Sequence, residues 1–500
     1  MPELEPPSLL AAIDLGSNSF RLEICKAEHG QLLRVEYLKD TVRLGAGLDD
    51  ARKLDDAAMN RGWASVARFA ERVRDLEPRA VRAVATATLR EALNRDAFLS
   101  RAQSLLGLPI DVISGHEEAR LIYGGVSHYL PDTDERRLVF DIGGRSTELI
   151  LGRSKVPRIV ESYDVGSVEL SMRYFADGRI GTRSFNAACV AAQAALEGAQ
   201  GELAAERWDE AYGASGTVGA VSDVLRAEGL TDGTITAVGL DALVRRLIDA
   251  GHVDRVQLAG LKDDRRPVIG GGVAIVRALM DVLNLERVSP ARGALRHGVM
   301  IEMLDRDAPA RDIRTASVQR LQRQFAVDVV QAQRVSDMAL WLFAALHPAP
   351  DPRLQRAAQM LRWAAASHEV GMAVSHESHH RHGEYIVRHS DAAGFADHQL
   401  ERMGTLVLVQ RGGLRKAEAA LAADSVLRDQ ALALRIAIVF CHARRDPAPP
   451  GKLRLAGMPG GWLLVIDTPW ADAHPQSIHL LREEEKAWSR TPWPLELRID

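Results

Sequence analysis

Five hundred residues are too many for one ordinary hydrophobic core, and length alone predicts three or four domains. An apolar share of 46% and a charged share of 26% are those of a folded chain. The formal net charge of −4 excludes a generally polycationic protein, so a polyanion would have to be held by local basic clusters. No nucleic-acid partner is expected. No apolar run reaches the ~18 residues of a spanning helix, and the opening MPELEPPSLL carries acids and prolines where a signal peptide has a basic region. Cys25, Cys189 and Cys441 lie far apart and form no spaced metal motif, which suits a reducing compartment. The expected location is cytoplasmic, with peripheral association at a membrane left open.

In chain order, AAIDLGSNSFRLEI (11–24) is an apolar run ending in Asp14, a turn GSNS (16–19) and a second strand. A turn at EHG and the strand LLRVEYL complete a three-strand meander. Helical sequence follows (DDAAMNRGWASVARFAERVRDL), then a strand in AVRAVATAT, a helix, and a strand in PIDVISG. About 127 residues after Asp14 the order restarts at Asp141 in VFDIGGRSTELIL (139–151), with its own polar turn GGRST (143–147), a turn at RSKVP and the strand RIVESYDVG. Helices over 183–206, a strand near EAYGASG, more helix and RPVIGGGVAIVRALMDVLNL follow. The duplication predicts two α/β domains, 1–125 and 126–305, with a cleft between them. Beyond RDAPARDIRTAS, residues 310–447 have helical periodicity and few strand signals. After the linker RRDPAPPGK, residues 451–500 read as a small α+β domain.

A strand–turn–strand that presents successive backbone N–H groups makes an anion-sized nest. Ser17, Asn18 and Ser19 form one such turn, Gly143, Gly144, Arg145, Ser146 and Thr147 a second, and Ser215, Gly216 and Thr217 (in GASGT) a third. Any one of them is explained by ordinary hairpin chemistry, but two copies with the order Asp-x-Gly-x-x-Ser point to phosphate. The aspartates repel a phosphate unless a divalent cation such as Mg²⁺ sits between. In VISGHEEARLIYGGV, Ser114 and Glu117 have the spacing of a capping box, with Glu117 expected to reach back to the Ser114 backbone N–H. Glu118 is then spare. It is either a solvated helix acid or a general base for water at the edge of the cleft.

AAIDLGSNSFRL, VATATLREALN, ISGHEEARLIYGGV, VFDIGGRSTELILG, AYGASGT and ALRHGVMIEML, in this order, closely resemble the exopolyphosphatase and guanosine pentaphosphate phosphohydrolase (Ppx/GppA) family in its long bacterial form. The resemblance implies an α/β fold of duplicated actin-like (ribonuclease H-like) domains. An all-α histidine-aspartate-like domain and a small α+β domain would follow. It implies Glu118 as catalytic base, Asp141 and Glu148 as acids on Mg²⁺, the three turns as phosphate cradles, and Arg90 as a basic contact to the substrate. The implied activity is release of terminal orthophosphate from inorganic polyphosphate. The alternatives are 5′-phosphohydrolysis of guanosine pentaphosphate (pppGpp) and a non-catalytic polyphosphate or alarmone sensor; an ATP-dependent kinase is disfavoured by the SGHEEAR helix. A homodimer whose helical domains line a channel is also implied. The family has a third glycine where this chain has Arg145, which predicts either a clash, an added phosphate contact or backbone strain; the added contact is favoured. His368, His376, His379, His380 and His382 cluster in sequence, yet the pair His368-Glu369 lacks the aspartate of the metal-binding motif. Packing, or guidance of a polyanion, is the expectation there. VIGGGVAIV (268–276) reads as glycines between elements rather than a nucleotide loop.

Overall fold

The computed structural model describes residues 9–28, 31–131, 133–200, 203, 208–306, 313–349, 351–390, 392–445 and 453–500. The end of the EHG turn, residues 201–202 and 204–207 of the expected helix, residues 307–312, and most of the expected linker (446–452) lie outside them. The chain divides into two compact units, at 312/313.

The first unit carries two sheets built to one plan. In the first, β1 (Leu9–Leu15), β2 (Phe20–Glu28) and β3 (Gln31–Asp40) form the antiparallel meander, and β4 (Val81–Ala85) and β5 (Ile110–Val112) add in parallel, in the order β3-β2-β1-β4-β5. In the second, β6 (Arg136–Ile142), β7 (Thr147–Arg153) and β8 (Val156–Tyr163) repeat the meander. There β9 (Glu210–Ala214) and β11 (Arg287–Pro290) take the parallel places, and β10 (Ile235–Thr236) adds at the edge, in the order β10-β11-β9-β6-β7-β8. This is the duplicated actin-like arrangement.

The central strands β1 and β6 are apolar on both faces because helices cover both. Successive side chains therefore serve different cores. In β1, Ala11, Ile13 and Leu15 join Phe69 and Phe98 in a core private to the first half. Leu10 and Ala12 face the other way, into a core with Leu121, Ile122, Val299 and Met300 that also takes Val139 from β6. The helices Gly115–Ser127 and Leu295–Arg306 supply that shared core, and they cross closely. A Cβ on Gly298 would run into the Leu121 carbonyl, so only glycine permits the approach. Asp14 has the parity of Leu10 and Ala12, and Asp141 that of Val139. Both aspartates thus leave their sheets on the face that the halves share.

In the second unit, helices that include Ile313–Gln324, Val329–Leu346, Pro352–Ala366, Asp397–Val409 and Ser425–Phe440 precede a three-stranded sheet of β12 (Leu453–Met458), β13 (Gly461–Ile466) and β14 (Leu495–Ile499). Sheet and helices share one continuous core, with Trp462, Leu464 and Trp488 packed in the same cluster as Leu406, Leu432 and Ile436. Arg435, nearly fully buried, is held by Glu484 at 2.6 and 2.8 Å and ties the helix Ser425–Phe440 to the helix Pro475–Trp488. Among the described residues, no helix is long and apolar enough to cross a membrane.

Candidate active site

The turn after β1 is fixed from outside. The Ser17 and Asn18 carbonyls accept from the backbone N–H groups of Gly45 (2.8 Å) and Arg43 (2.9 Å), and Thr88 Oγ1 donates to Ser17 Oγ at 2.7 Å. Ser17, Asn18 and Ser19 are all buried. The turn after β6 closes on itself through Gly143 N–H to the Ser146 carbonyl (2.9 Å), and the N–H groups of Ser167 and Val168 bond the Gly143 and Gly144 carbonyls. A Cβ on Gly144 would stand 3.0 Å from Ser17 Cβ, so the two turns nearly touch. The third turn begins at Ser215, whose backbone takes a left-handed φ of 74°. Its hydroxyl and that of Thr217 both donate to the Ile142 carbonyl, at 3.0 and 2.9 Å.

All three turns line one cavity of about 420 Å³. Ser17, Asn18, Ser19, Gly143, Gly144, Ser146, Ser215, Gly216 and Thr217 face it, together with Glu118 and Asp141. Four residues expected at the site stand just behind this lining. Thr147 is fully buried and its hydroxyl donates to the Val165 carbonyl at 2.6 Å, which makes it a brace of the turn. Arg90 donates to the Ile113 carbonyl (2.8 Å) and to Glu118 Oε2 (3.4 Å). Glu148 is the cross-strand partner of Asp141 and accepts from Ser162 Oγ at 3.0 Å. Arg145 is turned to Glu91, whose Oε2 accepts from Nε at 3.1 Å and from Nη2 at 2.8 Å. The strain expected of an arginine in a glycine position is absent, because Arg145 does not adopt a left-handed φ.

Ser114 caps the helix Gly115–Ser127 as expected, accepting from the Glu117 N–H at 3.1 Å. The Glu117 carboxylate, expected to complete a capping box, is instead taken by Arg120 at 2.7 and 2.8 Å. A local cap loses to a bidentate ion pair. Glu118 is not a solvated helix acid, for it is 8% exposed. Burial lifts its carboxyl to about 7, with Asp141 and Asp14 adding to the rise and Arg90 opposing it. Burial raises Asp141 to about 6, against a Ser215 hydrogen bond. Glu148 is pushed well above the usual carboxylate range by burial and by the charges of Glu118 and Asp141. Among the described residues, no group of three or more His, Cys, Asp or Glu is arranged to hold a metal alone. The donors that are present, hard carboxylate oxygens crowded until they resist ionisation, fit a divalent cation of the Mg²⁺ type that draws its other ligands from water and phosphate.

Sequence reasoning did not select several cationic side chains that line the same cavity, among them Arg21, Lys39 and Arg296. Arg296 reaches Glu23 at 2.9 Å and Asp14 at 3.5 Å. Its stretch, ALRHGVMIEML, carried a signal only as a whole. In the second unit, His368 Nδ1 lies 2.6 Å from the Ala365 carbonyl, His379 Nδ1 lies 3.1 Å from that of His376, and burial holds the His368 imidazole down at about 4.

The model of the Ppx/GppA phosphatase family matches residues 24–307, and that of the family's domain III matches residues 313–485. Among solved structures, an exopolyphosphatase from Cytophaga hutchinsonii is 21% identical at a TM-score of 0.55, over 59% of this chain and 98% of its own. An exopolyphosphatase-like protein is 24% identical at a TM-score of 0.53, over 59% and 98%. The Aquifex aeolicus PPX-GPPA enzyme is 22% identical at a TM-score of 0.50, over 59% and 99%. At these identities the solved structures bear on the fold.

Proposed function

Because this chain belongs to the Ppx/GppA phosphatase family, we propose that it is an exopolyphosphatase, which removes terminal orthophosphate from inorganic polyphosphate with water as nucleophile. The observation that carries this reading is Glu118, a buried carboxylate at the point where two copies of one phosphate turn converge. An acid with its proton affinity tuned close to neutrality, lining a cavity beside anion cradles, is suited to take a proton from attacking water. Arg90 favours the ionised base and fixes its direction. Backbone N–H groups of the 16–19, 143–147 and 215–217 turns, with the hydroxyls of Ser17 and Ser19, would orient the terminal phosphoryl group and absorb the charge that develops on it. Asp141 and Glu148 would hold Mg²⁺, which, when bound, supplies charge neutralisation at the phosphoryl oxygens.

The test is orthophosphate release, with Mg²⁺, from long-chain polyphosphate and from pppGpp side by side, in wild type and Glu118→Gln. The expected result is faster release from polyphosphate, reduced by ~10²–10⁴ in the variant. Preference for pppGpp would make the protein an alarmone phosphatase on the same machinery. Binding of either compound without release would leave a sensor.

A further inference from the structure

The helix Ala87–Glu91 is only five residues long, yet three of its side chains end on three different parts of the site. Thr88 donates to Ser17 in the first turn, Arg90 to the carboxylate of Glu118, and Glu91 accepts from Arg145 in the second turn. The first two contacts stay within the first half of the duplicated unit. The third crosses the cleft. The Arg145 stem passes close to the first half on its way: a Cβ on Gly45 would lie 3.0 Å from Thr88 Oγ1, 3.1 Å from Ser17 Cβ and 3.2 Å from Arg145 Cδ. The pair is partly sheltered, with side-chain exposures of 18% and 26%, so water and salt screen it only in part.

We propose that Arg145 is a positioning residue: with Glu91 it forms a strut that holds the 143–147 turn against the 16–19 turn, so that the phosphate cradle is assembled before substrate enters. The inference rests on the phosphohydrolase reading of this cleft for its effect on rate, but not for the strut itself. An arginine where glycine would serve the turn equally well is then a gain in preorganisation, not an extra phosphate ligand. The two possibilities differ in sign at Glu91. If the strut matters, loss of either partner loosens both turns. If Arg145 is a phosphate ligand that Glu91 restrains, removing Glu91 frees the guanidinium for substrate and tightens binding.

Glu91→Gln, Arg145→Gly and the double variant are to be compared with wild type in kcat and KM for polyphosphate, and in amide hydrogen exchange without substrate. Each single variant is expected to lower kcat/KM about tenfold, chiefly through kcat, a change of ~1.4 kcal/mol in the barrier. The double variant should be no worse than the singles, since one interaction is removed three ways. Exchange should rise at both turns in every variant while the thermal midpoint barely moves. Should Arg145→Gly fail to fold, Glu91→Gln still decides the question. A lower KM in Glu91→Gln, additive losses, or unchanged exchange at the 16–19 turn would each overturn the strut. Faster exchange at both turns in a protein that hydrolyses neither polyphosphate nor pppGpp would keep the strut and remove the functional reading.

Discussion

The two phosphate turns are copies that differ at one decisive place. Seven residues after each aspartate, directly across the hairpin, the first half has Arg21 and the second has Glu148. Arg21 pairs with Asp14 at 3.2 Å, and Arg296 adds a second guanidinium at 3.5 Å. Asp141 faces another acid, and both of those carboxyls resist ionisation. One scaffold thus supports a neutralised jaw and an electron-rich jaw. On the proposed reading, phosphate would rest on the first without a metal, while the second would take the cation.

The sharpest way to break this contrast is to make the second jaw a copy of the first. Glu148→Arg should abolish Mg²⁺-dependent orthophosphate release, a loss of ~10²-fold or more. The milder Glu148→Gln should raise the Mg²⁺ concentration needed for half-maximal rate. Stability separates the halves by sign. In the first, Glu23 is fully buried and held well below the usual range by His297, Arg296 and Arg34, which together outweigh the burial. Its stability contribution is present above the unfolded value of 4.5 and lost as pH falls below it. Glu23→Gln should therefore cost ~3–5 kcal/mol at pH 7, measured by urea unfolding, and much less in acid.

The second half behaves oppositely. Asp141 rises from 3.8 to about 6 on folding, so between those values the folded state keeps a proton that the unfolded chain has lost. Stability then falls as pH rises through that window and stays low above it. Asp141→Asn, in chelator, should stabilise the protein by up to ~3 kcal/mol at pH 7 and leave it unchanged near pH 3. The smallest effect belongs to Arg21→Gln. Arg296 still neutralises Asp14 there, and kcat/KM for polyphosphate should fall only ~3–10-fold, with more of the change in KM.

What was legible in the sequence was the part that local chemistry writes. Apolar runs ending at Asp14 and Asp141 marked the meanders and their polar turns, and the Ser114 cap marked the start of the helix that carries Glu118. The arrangement of charges was not legible, because ion pairs join residues that are distant in sequence and have no periodicity. Arg296 meets Glu23 across 273 positions and Arg145 meets Glu91 across 54. The same blindness explains Thr147, whose hydroxyl looked available for phosphate until the fold set a carbonyl in front of it. The capping box failed otherwise: Glu117 had two local partners by spacing, the Ser114 backbone N–H and Arg120 three residues on, and the bidentate ion pair prevailed. Left-handed backbone falls at Ser215, while the glycines of the first two turns are needed for closeness rather than for φ.

The core shared by β1 and β6 has a consequence for the independence of the two halves. Leu10 and Val139 belong to the same apolar cluster as the helices Gly115–Ser127 and Leu295–Arg306. Neither repeat is therefore a self-standing ancestor preserved inside the chain. Severed after the helix Gly115–Ser127, the fragments should stay clasped together. Produced separately, each would expose half of a common interior, a debt of unshielded hydrocarbon that ends in aggregation rather than in two small proteins.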